Sequence, residues 1–234
     1  MALHGDIAAA SLLASLQLAD SFFPSGLFTQ SHGLERFVEQ GLHGEAALVS
    51  LLESYVVHVA APGDALAARW VARAAAEDNR DLITAIDQRL EATKLAHEGR
   101  LASRRCGGRL LQLGCSVFGG ALLDHYAGQV RTGQAPGHQA VAQALIAHAA
   151  GLDEQSTVLV ELHCFSVSLV SAALRLGAIE HAAAQRLLLR LRPTIAHAAM
   201  IGAHRNWDEL GSFAPQIELM QFQHAGAEQH LFVS

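Results

Sequence analysis

The segment LQLADSFFPSGLFTQSHGLERFVEQG, residues 16–41, joins two helix-like runs through a short, constrained turn. Proline fixes φ near about −65° and glycine permits φ above zero, so Pro24 and Gly26 indicate a specified bend rather than a flexible linker. Phe22 and Phe23 precede the proline, and their apolar side chains are expected to pack in the core or against a partner. The segment therefore predicts an ordered helix–bend–helix element whose second helix presents Glu35.

The composition around this bend favours helices over strands. Hydrophobic residues make up 51% of the 234 residues but aromatic residues only 6%. The apolar residues are mainly alanine and leucine, whose unbranched side chains lose little rotamer freedom in a helix. Several segments space their apolar residues at helical intervals, and none shows sustained strand alternation. The sequence therefore predicts an all-α, single-domain helical bundle of about ten helices.

Capping residues, glycines and prolines bound the predicted helices. We place them at about residues 6–19, 29–40, 45–61, 64–76, 81–92, 94–120, 121–130, 138–149, 153–176, 179–191 and 194–204. Pro62 and Gly63 are expected to end the third helix. Gly107 and Gly108 leave two alternatives for 94–120, which are a kinked or broken helix and a continuous helix whose small residues allow close packing. Residues 1–224 are expected to form the all-α domain, and 225–234 a polar tail that binds a partner.

Charge and cysteine usage limit the class of protein and its compartment. Lysine and arginine total 16 against 22 acidic residues, and this net charge of −6 argues against general nucleic-acid binding. The N-terminus lacks the basic segment of a secretory signal, and three cysteines without a C-x-x-C pair fit reduced thiols. A cytoplasmic location is expected. The most apolar stretch, residues 158–176, contains Glu161 and His163 and predicts a buried core helix rather than a membrane span.

Common catalytic motifs are missing, which predicts a protein that is not an enzyme. A P-loop needs G-x-x-x-x-G-K-[ST], and the single lysine, Lys94, does not stand in that pattern. His97 and Glu98 begin an H-E pair, but Leu101 occupies the position of the second zinc-binding histidine. No G-x-S-x-G nucleophile elbow occurs.

Two groups could still bind a metal ion. Glu77, Asp78 and Asp81 could hold magnesium, but helix capping is favoured because carboxylates oppose the positive end of the helix dipole. Fourteen histidines suggest nickel or zinc binding, yet they fall on different predicted helices. No residue is therefore assigned as a metal ligand.

Arg100, Arg104, Arg105 and Arg109 form a basic arc on the glycine-rich helix. Arginine forks suit carboxylates and phosphates on a partner. The alternative is a solvated face whose arginines form intramolecular ion pairs. The sequence alone favours the second interpretation and does not select one arginine for a role in a partner's site.

An ordered series of short patterns runs along nearly the whole chain. It comprises D-S-x-F-P-S-G-x-F-x-x-S-x-G-L-E at 20–35, E-x-R-x-A-S at 98–103, Gly137 with His138, A-x-R-L at 173–176, and His224 followed by L-F-V-S at 231–234. Their order and spacing together resemble the urease accessory protein F (UreF) family. Ala225 and His230 depart from that family's tail, where glutamate and arginine are common.

The resemblance implies an all-α, dimer-forming protein without enzymatic activity that acts in urease maturation. Such proteins bridge accessory protein D (also called H) and the GTP-hydrolysing accessory protein G, and the assembly delivers nickel to apo-urease. No cofactor of its own is expected, because the complex and its partners handle nickel and GTP. The alternatives are a histidine-rich nickel metallochaperone, a diverged helical scaffold for another metalloenzyme, and a helical hydrolase or transferase that uses the acidic group.

The residues expected to contact partners come from these patterns. They are Phe23, Pro24, Gly26, Phe28, Ser31, Glu35, Arg100, Arg175, His224, Leu231, Phe232 and Ser234. An apolar pair such as Leu231 and Phe232 is costly to expose on a polar segment, so it is expected to become buried with a partner. No catalytic residue is assigned.

Overall fold

The protein folds into a bundle of helices. The computed structural model describes residues 2–20, 22–225 and 231–232. The helices are α1 (Ala2–Ala19), α2 (Leu34–Glu39), α3 (Glu45–Ala76), α4 (Arg80–Thr93), α5 (His97–Val117), α6 (Ala121–Arg131), α7 (Gln139–Ala149), α8 (Glu154–Arg175), α9 (His181–Ile201) and α10 (Pro215–Ala225). Short 3₁₀ turns stand at Leu27–Thr29, Gly202–His204 and Trp207–Glu209. Since no strand occurs among the described residues, the all-α prediction is confirmed.

The third helix continues through Pro62 and Gly63, so the predicted end there is wrong. Its middle part, Val56–Ala65, has the wider π-helical pattern. A proline inside an α-helix removes one hydrogen bond and clashes with the carbonyl four residues earlier, and a π-helical segment relieves this by bonding to the fifth residue instead. The Pro62 carbonyl also accepts a hydrogen bond from the Gly211 N–H at 3.1 Å.

The C-terminal third also differs from the prediction at two points. Helix α9 passes through Pro193, where two separate helices were expected. Leu191 and Ile195 are buried on either side of this proline, and their shared contact with the core outweighs its local cost. Helix α10 lies at the end of the expected domain, where no helix was predicted.

The glycine-rich helix α5 is continuous, which decides between the two alternatives for residues 94–120. A Cβ atom on Gly107 would lie 2.0 Å from the Gly137 carbonyl oxygen, and one on Gly114 would lie 2.6 Å from Ile146 Cγ1. The small residues therefore let α7 and the turn before it approach the α5 backbone closely.

Two apolar clusters form the interior, and α8 contributes to both. Val160 belongs to the cluster that includes α4, α5, α6 and α7, and Leu162 to the cluster that includes α2 and α9. By length and composition α3 and α8 could cross a membrane, but 67% of the apolar window of α8 is buried in this fold. Glu161, in the middle of α8, accepts a hydrogen bond from Gln139 at 3.1 Å. The stretch 158–176, which was predicted to form a buried core helix, therefore does so as part of α8, which ends at Arg175.

Candidate partner-docking site

The bend after α1 is fixed by a glycine that packs on α5. Gly26 has φ 77°, in the left-handed region that glycine tolerates best. A Cβ atom there would lie 3.1 Å from Cys106 Sγ. Gln30 Nε2 donates a hydrogen bond to the same sulfur at 3.0 Å. The chain therefore turns at Gly26 and is anchored to α5, as the proline–glycine pattern predicts.

A second glycine starts α2 and brings it against α10. Gly33 has φ 83°, and a Cβ atom on it would lie 2.9 Å from the backbone nitrogen of Gln221. The preceding carbonyl, of His32, accepts a hydrogen bond from the Tyr55 hydroxyl at 2.7 Å. The start of α2 is thus held between α3 and α10.

Glu35 is the centre of a buried polar cluster at this junction. One of its carboxylate oxygens lies 3.1 Å from His224 Nε2, and the other accepts the Leu231 N–H at 2.9 Å. His224 Nδ1 lies 3.1 Å from Glu98 Oε2. Each ring nitrogen of His224 therefore faces a carboxylate oxygen. The cluster joins α2, α5, α10 and residue 231.

Phe232 completes the junction on the apolar side. Its ring is 3% exposed and belongs to the cluster that contains α2. The Arg175 guanidinium lies 4.3 Å from the ring centroid, a cation–π arrangement, and donates a hydrogen bond to the Phe28 carbonyl. Residues 231–232 therefore lie on the bend and α2, where the sequence patterns of both chain ends meet.

The predicted partner-binding residues divide by exposure. The buried ones support the surface from beneath, and they are Gly26, Ser31, Glu35, His224 and Phe232. The exposed ones can touch a partner directly, and they are Pro24, Phe28, Arg175 and Leu231. We call Phe28, Arg175 and Leu231 the tail surface.

Three predicted residues stand apart from this arrangement. Phe23 is half-buried and packs against the other apolar cluster. Arg100 donates hydrogen bonds to the Lys94 and Leu95 carbonyls, so it braces the turn before α5. Ser234 lies outside the described residues. Phe232, expected to be buried by a partner, is buried by its own chain.

Sequence reasoning missed two parts of the site. Glu98 was noted only as part of a motif, and its contact with His224 spans 126 positions along the chain. Helix α10 was missed although Pro215 occupies its first position, where proline is favoured because its missing N–H is not needed. That local signal could have found the helix, whereas no local signal pairs Glu98 with His224.

The turn before α7 is held by a buried carboxylate. Asp87 accepts hydrogen bonds from the Tyr126 hydroxyl at 2.6 Å and from the Gly137 and His138 N–H groups at 2.7 and 3.2 Å. Burial raises the pKa of Asp87 above its ordinary value, and these hydrogen bonds oppose the rise. The Gly-His pattern thus serves helix packing.

The ring of His138 has one consistent tautomer, assigned from its neighbours. Ser103 Oγ accepts the Gln139 N–H at 3.2 Å and donates to His138 Nδ1 at 3.0 Å. Nε2–H then donates to Glu91 at 2.8 Å. Burial, assisted by Lys94, lowers the pKa of His138 to about 3, so the neutral ring is the form present at neutral pH.

A cavity of about 70 Å³ lies between the segment that precedes α2 and helices α3, α4, α5, α8 and α10. His32 Nε2 and Asp64 Oδ1 line it without a hydrogen-bond partner in the described chain. Burial lowers the pKa of His32 to about 4 and raises that of Glu161 to about 8. Burial would raise the pKa of Asp64, but the ion pair with Lys94 at 2.7 Å lowers it on balance.

Metal-ligating side chains do not converge in the described ranges. No group of three or more histidine, cysteine, aspartate or glutamate side chains there has the geometry to hold an ion. Glu35 and Glu98 approach different nitrogens of one imidazole, so they do not share an ion with it. The cluster acts as a hydrogen-bonded clamp.

Comparisons with known proteins find matches in one family. The family model described as UreF matches residues 42–192. The chain is 33% identical over 223 residues to the urease accessory protein UreF of Paenarthrobacter aurescens (strain TC1), across 95% of this chain and 97% of that protein. It is 31% identical over 224 residues to UreF of Lachnoclostridium phytofermentans, across 95% and 98%. For UreF of Yersinia pestis (strain Pestoides F), identity is 27% across 96% and 98%.

Proposed function

Since this chain belongs to the UreF family of urease accessory proteins, we propose that it bridges accessory protein D/H and the GTPase accessory protein G. In this role it is a non-catalytic scaffold for nickel insertion into apo-urease. The protein acts as a homodimer in the cytoplasm, and nickel and GTP are handled by the assembled complex.

The observation that carries this proposal is the clamp formed by Glu35 and His224. It holds residues 231–232 on the bend and α2, and it is closed from solvent. A buried cluster whose groups hydrogen-bond to one another is suited to holding a shape. Catalysis would need at least one of these groups to reach a substrate.

The tail surface above the clamp has the composition of a protein-binding surface. Leu231 is 77% exposed. Arg175 lies over the ring of the adjacent Phe232 and donates a hydrogen bond to the Phe28 carbonyl, so the surface combines an aromatic ring with a guanidinium. Aromatic and arginine side chains on a rigid support are typical of residues that dominate binding energy. Because its parts come from the bend, the end of α8 and the C-terminal residues, this surface exists only when the fold is complete.

A pull-down with purified accessory proteins D/H and G tests the proposal. Leu231→Asp places a charge on the tail surface and should weaken complex formation at least about tenfold, because an apolar contact becomes a desolvated carboxylate. Leu189→Asp is the matched control, since Leu189 is 57% exposed on α9 outside the tail surface. Failure of the unaltered protein to bind D/H and G would overturn the bridging role, and equal binding by both variants would exclude the tail surface.

A further inference from the structure

A second exposed groove lies between the end of α1, the bend and the C-terminal half of α5. Its volume is about 510 Å³, and its apolar wall consists of Phe22, Phe23, Pro24, Leu113 and Val117. Phe22 is 94% exposed and Val117 55%. We call this the α5 groove. It shares no residue with the tail surface.

A basic ridge continues the groove along α5. Arg105, Arg109, Leu113 and Val117 follow one another at intervals of four, so they form one ridge on the helix. Arg109 lies against the bend, because its Nη1 is 3.9 Å from the position of a Cβ atom on Gly26. The ridge therefore leads from two guanidiniums directly into the apolar groove.

The two halves of the arginine arc differ in their partners. Arg100 and Arg104 lie 3.7 and 3.9 Å from the Glu91 carboxylate and also donate to backbone carbonyls. Arg105 and Arg109 are exposed, and neither side chain has an ion pair or hydrogen bond within the described ranges. The intramolecular interpretation of the arc thus fits its first half, and its second half is open to an external anion.

The charges at the two ends of the α5 groove determine the orientation in which a ligand binds. Asp20 is the carboxylate that lines the apolar end, where its Oδ1 accepts the Phe22 N–H at 2.6 Å. An acidic ligand group is disfavoured there and favoured at Arg105 and Arg109. In a chain with a net charge of −6, these two arginines, one helical turn apart and without a side-chain partner among the described residues, are a distinct local site of opposite sign.

We infer that the α5 groove binds an amphipathic helix of a partner protein. Apolar residues of that helix pack on Leu113, Val117 and Phe22, and acidic residues one to two turns along meet Arg105 and Arg109. Twelve positions separate Arg105 from Val117, which corresponds to about 18 Å at 1.5 Å per residue. A helix of about 14 residues is long enough to cover the ridge. The ligand class is thus an acidic amphipathic helix.

The test uses the full chain and a fluorescein-labelled, helix-stapled synthetic peptide of about 16 residues. The peptide carries leucine at two positions four apart and glutamate at the next two positions of the same row. Fluorescence anisotropy should show saturable binding that weakens with salt. A peptide with lysine in place of glutamate should bind at least about tenfold more weakly.

The double variant Arg105→Glu/Arg109→Glu separates charge recognition from structural damage. It should weaken binding of the glutamate peptide at least about tenfold and strengthen binding of the lysine peptide, because the charge pattern is exchanged. Arg131→Glu, at an exposed arginine on α6, should change neither affinity. Circular dichroism confirms that each variant is folded.

Two kinds of result would overturn the inference. One is equal affinity of the unaltered protein for the two peptides, or no saturable binding of the glutamate peptide. The other is conversion of a dimer to a monomer by the double variant, which would identify the occupant as a second copy of this chain. Because no accessory protein is present in the peptide assay, its failure would leave the proposed bridging function untouched.

Discussion

The Glu35 carboxylate accepts a hydrogen bond from the Leu231 N–H at 2.9 Å, although 196 positions separate the two residues. Its other oxygen contacts His224, whose second nitrogen contacts Glu98. One carboxylate therefore fastens the C-terminal residues to the helix that follows the N-terminal bend. The exposed tail surface depends on groups that are themselves buried.

Removing the Glu35 carboxylate should loosen this junction. Glu35→Ala leaves the His224 and Leu231 N–H groups without their acceptor and should lower the free energy of unfolding by about 3 kcal/mol. Glu39→Ala is the matched control on α2. Glu39 pairs with Arg36 but is 45% exposed, so its loss should cost less than about 0.5 kcal/mol. Urea unfolding measures both values.

Hydrogen exchange gives a second readout of the same junction. The Leu231 amide should exchange faster in Glu35→Ala than in Glu39→Ala, because only the first variant removes its acceptor. Equal stability of the two variants, with equal exchange at Leu231, would show that the clamp does not hold the tail.

Truncation after Gly226 should leave the helical domain folded but abolish binding to accessory proteins D/H and G. The deletion removes the buried Phe232 ring and should cost about 2–3 kcal/mol of stability, while the helical circular dichroism signal persists. Phe232→Ala should reproduce most of this loss. Leu231→Ala should not, since that side chain is exposed. Unchanged pull-down by the truncated protein would refute a binding role for the tail.

Local chemistry made the bend predictable. Pro24 and Gly26 restrict and permit particular backbone angles, and the structure has φ 77° at Gly26. The same reasoning failed at Pro62, because the helix there is continued by a π-helical segment and by a contact with Gly211. Proline predicts a local cost, but distant packing decides whether the helix ends.

The burial of Glu35 and His224 was not predicted because it depends on contacts between residues far apart in the sequence. The patterns placed Glu35, His224 and Leu231 in one set without indicating that the first two are buried. Glu98 joins them from α5 through His224, across 126 positions. Residue type and spacing describe a helix face, whereas burial depends on which other face covers it. Glu35 thus became part of a clamp beneath the tail surface.

Acid should destabilise the protein through His32. The residue is half-buried, but its Nε2 is closed from solvent and has no partner in the described chain. Burial, assisted by Lys94, lowers the pKa of His32 from 6.5 to about 4. Between these values the unfolded chain binds the proton and the folded protein does not, so stability falls as pH falls, by up to about 1.4 kcal/mol per pH unit.

His32→Asn isolates this contribution. His32 has φ 53°, a region in which asparagine is well tolerated, and the backbone carbonyl that binds Tyr55 is retained. The difference in unfolding free energy between the two proteins should be constant above pH 7 and change by up to about 3 kcal/mol on titration to pH 4. A constant difference over the whole range would show that His32 does not titrate in this way.

Two neighbouring glycines on α5 should respond oppositely to alanine. A Cβ atom on Gly107 would lie 2.0 Å from the Gly137 carbonyl oxygen, a backbone atom that cannot move without displacing the turn before α7. Gly107→Ala should therefore cost about 3 kcal/mol or more. Gly108 has no atom within 4 Å of the same position, so Gly108→Ala should stabilise the helix by up to about 1 kcal/mol.

Thermal and urea unfolding of the two variants, side by side, measure this difference. The substitutions are chemically identical and adjacent, so helix propensity raises the stability of both, and only contact with the turn separates them. Gly107→Ala should also disturb the hydrogen bonds that Gly137 and His138 donate to Asp87. Equal stabilisation by both substitutions would mean that the turn before α7 does not contact α5 closely. The proposed packing role of the small residues of α5 would then be wrong.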